Sequence, residues 1–363
     1  MIPETMSAVL LTGHGGLDKL EYRDDVPVPL PESGQVLIRI GAAGVNNTDI
    51  NTRIGWYSKA IVSDTNIGGV EGYQKVDDED ATWSGEPLNL PRIQGADICG
   101  KIVAIGEGVE KSRIGERILV QTMQPQTDLL PFTCATVGSE YDGGFAQYAI
   151  AASEHTYKVK SNWSDVELAS IPCAYSTAEN MLYRANVGKE RVLITGASGG
   201  VGSATIQLAK RRGATVIALA SRSKFEDVLA LGANKVIDRN ADLLAELGES
   251  SIDVIVDLVA GKKWPTLLKV LKRGGRYAVA GAIAGPIVEL DIRTLYLKDL
   301  TFFGCTYQES EVFRNVISYI EAGEIRPLVA KSYPLKDIQI AQQDFLAKNY
   351  TGKLVLIPPL EHT

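Results

Sequence analysis

The sequence is poor in the residues that hold metals. Its 363 residues include only three histidines and four cysteines. Cys99, Cys134, Cys173 and Cys305 are scattered, and no Cys-x-x-Cys pair occurs. That spacing excludes a zinc-ribbon signature and predicts buried thiols rather than a disulfide framework. A basic excess is also missing. The net charge of −7 argues against nucleic acid, which wants a basic face. Long apolar runs are absent, since stretches such as 254–259 fall far short of the roughly 20 residues that a membrane span needs. The start, Met-Ile-Pro-Glu-Thr-Met, has no basic region followed by an apolar one. No signal peptide is therefore expected, and the cytoplasm is the expected compartment.

What is present is the composition of a soluble globular protein, 45% hydrophobic and 22% charged. The length suits two domains. Residues 6–160 read as short strands separated by glycine turns, Val36 to Ile40 being the clearest, which predicts a β-barrel-like domain. Residues 57–92 are polar, carry the acidic run 77–80 and show little periodicity. They are expected to form a long surface loop, either a solvated insertion or a lid over a site. From about 164 helix and strand alternate: a helix over 165–186, then strands at 191–195, 215–220, 235–237, 254–257, 276–280 and 300–304. Helices are expected at 201–212, 224–231, 243–247, 264–271 and 311–322, with a last strand at 353–357. Such alternation predicts an α/β fold with a parallel sheet covered on both faces.

The strongest motif is Val192-Leu-Ile-Thr-Gly-Ala-Ser-Gly-Gly-Val-Gly202. A strand runs into a glycine turn that opens a helix, the context of dinucleotide binding. Ala197, Ser198, Gly199, Gly200, Val201 and Gly202 are the expected pyrophosphate cradle, at a helix N-terminus with free N–H groups. An NAD site normally ends the next strand with an acid that bonds the ribose 2′-hydroxyl. Here that strand ends in Ala220-Ser221-Arg222-Ser223-Lys224. Ser221, Arg222 and Lys224 suit a 2′-phosphate instead, so NADPH is the expected cofactor.

These residues resemble a family. Gly44 to Tyr57, Gly95 to Val109, Gly143 to Tyr148 and Gly196 to Lys210 are similar, in order, to segments of the zinc-free quinone oxidoreductases of the medium-chain dehydrogenase/reductase superfamily. Leu231-Gly-Ala and 271–276 also fall where the family has counterparts. The resemblance implies a GroES-like β-barrel catalytic domain, over 1–160 with 305–363, and a Rossmann doubly wound parallel sheet over 161–304. It implies a cleft between them and a homodimer or homotetramer formed through the edge of the Rossmann sheet, near Val288 to Leu290. In zinc-dependent relatives a metal sits on Cys, His and Cys with a nearby Glu. Those positions here are Asn46, Ala96, Cys173 and Asp97, so no metal is expected.

Without a Lewis acid to stabilise an alkoxide, the expected task is hydride delivery to an electrophilic carbon of a quinone or an α,β-unsaturated carbonyl. The resemblance implies cleft roles for Asn46, Tyr57 and Arg53. Asn46 is expected to hydrogen-bond the substrate carbonyl or the nicotinamide. Tyr57 is expected to cover the nicotinamide or donate a proton, and Arg53 to brace the loop through ion pairs. Thr48 takes the place of a proton-relaying hydroxyl of zinc relatives but is assigned no role. Lys353 is expected to reach the cofactor phosphate, and Arg239 to stack where relatives place an adenosine-stacking tyrosine. An enoyl-thioester reductase and a non-catalytic NADPH-binding protein remain as alternatives.

Overall fold

The strand expected at 36–40 is the middle of a longer one, Gln35–Val45, on which the barrel is organised. The computed structural model describes residues 2–73, 76–126 and 130–360. Along Gln35–Val45 the chain pairs with Cys99–Ile105 and with Tyr148–Ala152. Its C-terminal end pairs with Lys353–Ile357, in the register Leu354 to Val45 and Leu356 to Ala43. Two stretches more than 300 residues apart thus lie side by side at the strand end where the site forms. Val36, Leu37 and Ile38 are all buried, because this strand has neighbours on both edges and core on both faces. Thr5–Leu11 pairs with Leu20–Pro27 and Arg92–Ile93 in a second, smaller sheet.

The other layer is a six-stranded parallel sheet. Its order is Lys235–Asp238, Thr215–Ala220, Arg191–Ile194, Ile252–Asp257, Leu271–Val279 and Thr301–Gly304. Chain order reverses between Arg191–Ile194 and Ile252–Asp257. Ligands of doubly wound sheets bind outside the strand ends at such a switch point. The two layers share one core, in which Ala42, Cys99 and Leu119 pack with Ala178, Val192 and Ile194.

Several expectations change. The single helix expected over 165–186 is two, Asp165–Leu168 and Pro172–Arg184. Pro172 lacks an N–H and fits only the first turn of a helix, so the chain restarts there. No strand forms at 288–290 among the described residues. The sheet ends instead at Thr301–Gly304, and Val288 packs on the core while Leu290 is exposed. Helix Ser310–Glu321 lays Phe313, Val316 and Ile320 in the core beneath Pro172–Arg184. We therefore propose that the chain rejoins the barrel at Val329–Pro334 rather than at 305. Segment 57–92 is mostly turn and loop, as expected, but its described residues are only partly solvated. It holds a short helix, Thr65–Gly68, and buries Ser58, Thr65, Ala81 and Thr82. Among the described residues, no helix is long and apolar enough to cross a membrane.

Candidate active site

Gln35–Val45 delivers Asn46 to the start of helix Asn47–Ile54. Gly44 is required just before it: a Cβ there would lie 2.3 Å from Asp97 Oδ2 and 2.6 Å from the Ala169 carbonyl. That close approach brings Asp97, fully buried, onto Asn46. Asp97 Oδ1 accepts the Cys173 backbone N–H at 2.6 Å, offered by the helix that restarts at Pro172. Its Oδ2 accepts from Asn46 Nδ2 at 2.8 Å.

Lys353, at the start of the neighbouring strand, inserts its ammonium here. Lys353 Nζ donates to Val45 O at 3.0 Å, to Asn46 Oδ1 at 2.5 Å and to Asp97 Oδ2 at 2.9 Å. An ammonium has three donors, so all three are taken by protein acceptors. The phosphate role expected of Lys353 is corrected on this ground. Its stem does lie against the cofactor turn, since a Cβ on Gly200 would meet Lys353 Cδ at 2.8 Å, but its charge turns to the buried acid. Asn46 is corrected likewise. Both N–H groups of its amide are engaged, by Asp97 and by Gly44 O at 3.3 Å, leaving none for a substrate carbonyl.

The residues at the metal-ligand positions do not fit zinc. Ala96 offers no ligand, and Asn46 and Asp97 are bound to an ammonium. Burial, with Asp97 nearby, pushes the Cys173 thiol up to about 12, so it stays protonated. Among the described residues no cluster of His, Cys, Asp or Glu is arranged to hold a metal.

Asp49 lies beneath this group and went unnoticed in the sequence. Its carboxyl accepts from Asn46 N at 2.7 Å and Gly95 N at 3.2 Å. Burial nevertheless raises it to about 7, against the pull of those N–H groups and of Lys353. The folded protein then holds a proton on Asp49 between pH 4 and 7 that the unfolded chain has lost. Stability contributed by this group is present at low pH and is lost as pH rises through that window. Asp49→Asn is expected to flatten the fall by up to about 1.4 kcal/mol per pH unit. Denaturant melts of both proteins across the window check this.

Arg53 is not in the cleft. It is fully buried, and its Nε donates to Gln342 Oε1 at 2.8 Å, Nη1 to Gly15 O at 2.7 Å and Nη2 to Gly69 O at 2.5 Å. The catalytic expectation is corrected to a brace, and the brace works through neutral acceptors rather than ion pairs. Tyr57 packs in an aromatic group close to Thr48. Its hydroxyl donates to Thr48 Oγ1 at 3.3 Å, and its ring packs at 5.2 Å on Trp83 and 5.7 Å on Trp56. Burial holds its phenol above the ordinary value. Trp83, brought in by the 57–92 segment, also donates from Nε1 to Thr48 Oγ1 at 2.5 Å.

At the switch point, Gly200–Arg211 begins at Gly199 with no side-chain cap, so its first N–H groups are available to a pyrophosphate. Gly202 permits the turn: a Cβ there would lie 2.2 Å from Gly196 O and 2.7 Å from Ala197 Cα. Gly202→Ala is expected to push the turn outward and weaken cofactor binding by at least about tenfold, an energetic cost of roughly 1.4 kcal/mol. Fluorescence titration with the dinucleotide measures it. Ala197 is fully buried below, and Ser198 O accepts from Gly352 N. Across the switch point Asp257 takes bonds from Thr195 Oγ1, Tyr277 Oη and the Val259 and Ala260 amides, fixing the facing turn.

The next strand ends beside a group of cations. Arg222 Nε pairs with Asp238 at 2.8 Å. Lys224 Nζ donates to Lys348 O at 2.8 Å and Tyr350 O at 2.5 Å. Lys348 Nζ reaches Asn66 Oδ1 at 2.8 Å, on the short helix of the 57–92 segment. Burial first, then Arg239, lower Lys224. Burial, Arg239 and Lys224 lower Lys348, with Asp64 opposing. Arg239, Lys224 and Lys348 lie close enough to disfavour one another's charge. Arg222, on Asp238, and Arg239 follow one another at this strand end with Lys224, while Lys348 was missed because nothing local marks it.

Comparison with known proteins agrees with this architecture. The chain matches the alcohol dehydrogenase GroES-like domain over residues 32–161 and the zinc-binding dehydrogenase family over 200–322. It is 31% identical to the quinone oxidoreductase of Lama guanicoe, over 97% of both chains. It is 28% identical to the chloroplastic NADPH-dependent alkenal/one oxidoreductase of Arabidopsis thaliana, covering 98% of this chain and 81% of that one. The solved structure of a candidate alcohol dehydrogenase from Sinorhizobium meliloti superposes with a TM-score of 0.87 at 46% identity, covering 99% of this chain and 98% of that one. A GroES-like barrel and a Rossmann sheet around a dinucleotide turn define a nicotinamide-dependent oxidoreductase. The chain belongs to the medium-chain dehydrogenase/reductase superfamily, as a quinone oxidoreductase-like member.

Proposed function

We propose that this protein is an NADPH-dependent reductase of quinones and α,β-unsaturated carbonyls that works without catalytic zinc. The observation that carries the reading is the Lys353 ammonium between Asn46 and Asp97. It puts one compensated charge where zinc relatives carry a metal. Such a site gives an alkoxide little support, and suits an acceptor carbon that is already electrophilic. Bound NADPH supplies the hydride. The chain's own part is to hold the pyrophosphate on Ala197 to Gly202 and the 2′-phosphate among Ser221, Arg222, Lys224, Arg239 and Lys348. The aromatic wall of Trp56, Tyr57 and Trp83 suits a flat, apolar acceptor.

A homodimer or homotetramer fits the surface. Ile287, Ile292, Tyr296 and Leu297 are more than half exposed, next to the edge strand Thr301–Gly304. A cytoplasmic location completes the reading.

The test is oxidation of NADPH, with NADH in parallel, by purified protein offered an ortho-quinone, a para-quinone, a 2-alkenal and a 2-enoyl thioester. Turnover with NADPH on a quinone or alkenal is expected. Turnover on the thioester alone assigns an enoyl-thioester reductase, and tight NADPH binding without turnover assigns a binding protein.

A further inference from the structure

We propose that Asn66, on the short helix of the 57–92 segment, is a positioning residue that makes the acceptor site respond to the cofactor's 2′-phosphate. The inference rests on the phosphate subsite proposed above and adds to it a physical link to the aromatic wall.

Lys348 is the junction. It caps helix Ile338–Ala347 in the left-handed conformation, with φ at 52°. Its carbonyl accepts the Lys224 ammonium of the Rossmann half at 2.8 Å. Its own ammonium donates to Asn66 Oδ1 at 2.8 Å. An ammonium has three donors. Among the described residues the Lys348 ammonium meets no other acceptor, which leaves N–H groups for an anion.

The short helix and the aromatic wall are held as one piece. Asp64 Oδ1 caps the helix, accepting Asn66 N at 2.9 Å and Ile67 N at 3.3 Å. The Tyr73 hydroxyl donates to Asp64 O at 2.6 Å. One residue before the cap, Ser63 O accepts Trp56 Nε1 at 3.0 Å. Past the helix the chain lies directly on Ile338–Ala347, since a Cβ on Gly69 would meet Leu346 Cδ2 at 2.6 Å. Thr65 N donates to Ile283 O at 3.2 Å, in the loop that follows strand Leu271–Val279. A capped turn thus runs from Asn66 to the partner of Trp56, and touches both halves of the protein on the way.

The phosphate decides how firmly that turn is held. Burial, Arg239 and Lys224 disfavour the Lys348 charge. A phosphate reverses the balance, because a charge-assisted bond fixes the ammonium in place. The same ammonium then fixes Asn66. NADH brings no 2′-phosphate and leaves the Lys348–Asn66 bond as an ordinary exposed one. Coupling of this kind between two sites is reciprocal and typically changes affinity about 5- to 150-fold.

The test compares Asn66→Ala, which removes the acceptor of the Lys348 bond, with the unaltered protein at saturating nucleotide. With an acceptor that turns over, the unaltered protein is expected to show an acceptor KM about tenfold lower with NADPH than with NADH. Asn66→Ala is expected to raise the NADPH value by that factor and to leave the NADH value and both kcat values unchanged. A merely structural Asn66 raises KM equally with both nucleotides, which overturns the proposal, as does a variant with both KM values unchanged.

A measurement without turnover separates this from failure of the phosphate subsite. Adenosine 2′,5′-bisphosphate and 5′-AMP are compared by calorimetry for binding and by amide hydrogen exchange for their effect on Asn66 to Gly69. The bisphosphate is expected to bind more tightly to both proteins, and to slow exchange relative to 5′-AMP in the unaltered protein but not in Asn66→Ala. Tighter binding with the same exchange in both proteins overturns the link alone. A bisphosphate that binds no more tightly than 5′-AMP overturns the subsite, and the link with it.

Discussion

Lys353→Met is expected to destabilise the fold by about 3–5 kcal/mol, the range seen when one member of a buried ion pair is removed. Lys353 and Asp97 are 4% and 0% exposed. Met fills much the same volume but gives no charge, so the Asp97 carboxylate stays buried with only the Asn46 and Cys173 N–H groups to hold it. Adding Asp97→Asn removes the stranded charge while an amide oxygen remains for the Cys173 N–H. The double variant is therefore expected to recover a large part of the loss. Guanidinium denaturation of the two single variants and the double measures the coupling. Additive losses would show that Lys353 and Asp97 do not act as a pair.

Arg222→Ala with Lys224→Ala is expected to weaken NADPH binding by about 10²-fold or more and to leave NADH binding nearly unchanged. Each cation is a charge-assisted donor to a phosphate, and such bonds contribute roughly 1.5–3 kcal/mol apiece. NADH lacks the phosphate, so the same donors do nothing for it. Fluorescence titration with both nucleotides is the measurement. Equal losses for the two nucleotides would mean that the double change has damaged the Rossmann turn rather than a phosphate subsite.

The Rossmann half was legible because its signals are local. Val192 to Gly202 announces strand, turn and helix in one run. Elements such as Leu243–Leu247 and Lys353–Ile357 fall where periodicity put them. The barrel's site was not legible in the same way. Asn46 and Lys353 meet across 307 residues, through strand pairing that no local pattern reveals. Lys353 was therefore assigned to the one anion the sequence announced, a phosphate, while the buried carboxylate that holds it was read only as a lost ligand position. Arg53 misled for a related reason, because its acceptors are backbone carbonyls and an amide, which have no sequence signature. The polar 57–92 segment hid its buried face because Ser58, Thr65 and Thr82 are buried without being apolar.

The most direct test of the account is the activity and metal content of protein dialysed against a strong chelator. The account predicts far less than one zinc per chain and NADPH-dependent reduction of a quinone or alkenal at the same rate before and after treatment. Stoichiometric zinc in the starting protein, with activity that falls on its removal and returns on its addition, would contradict an ammonium at the centre of the site.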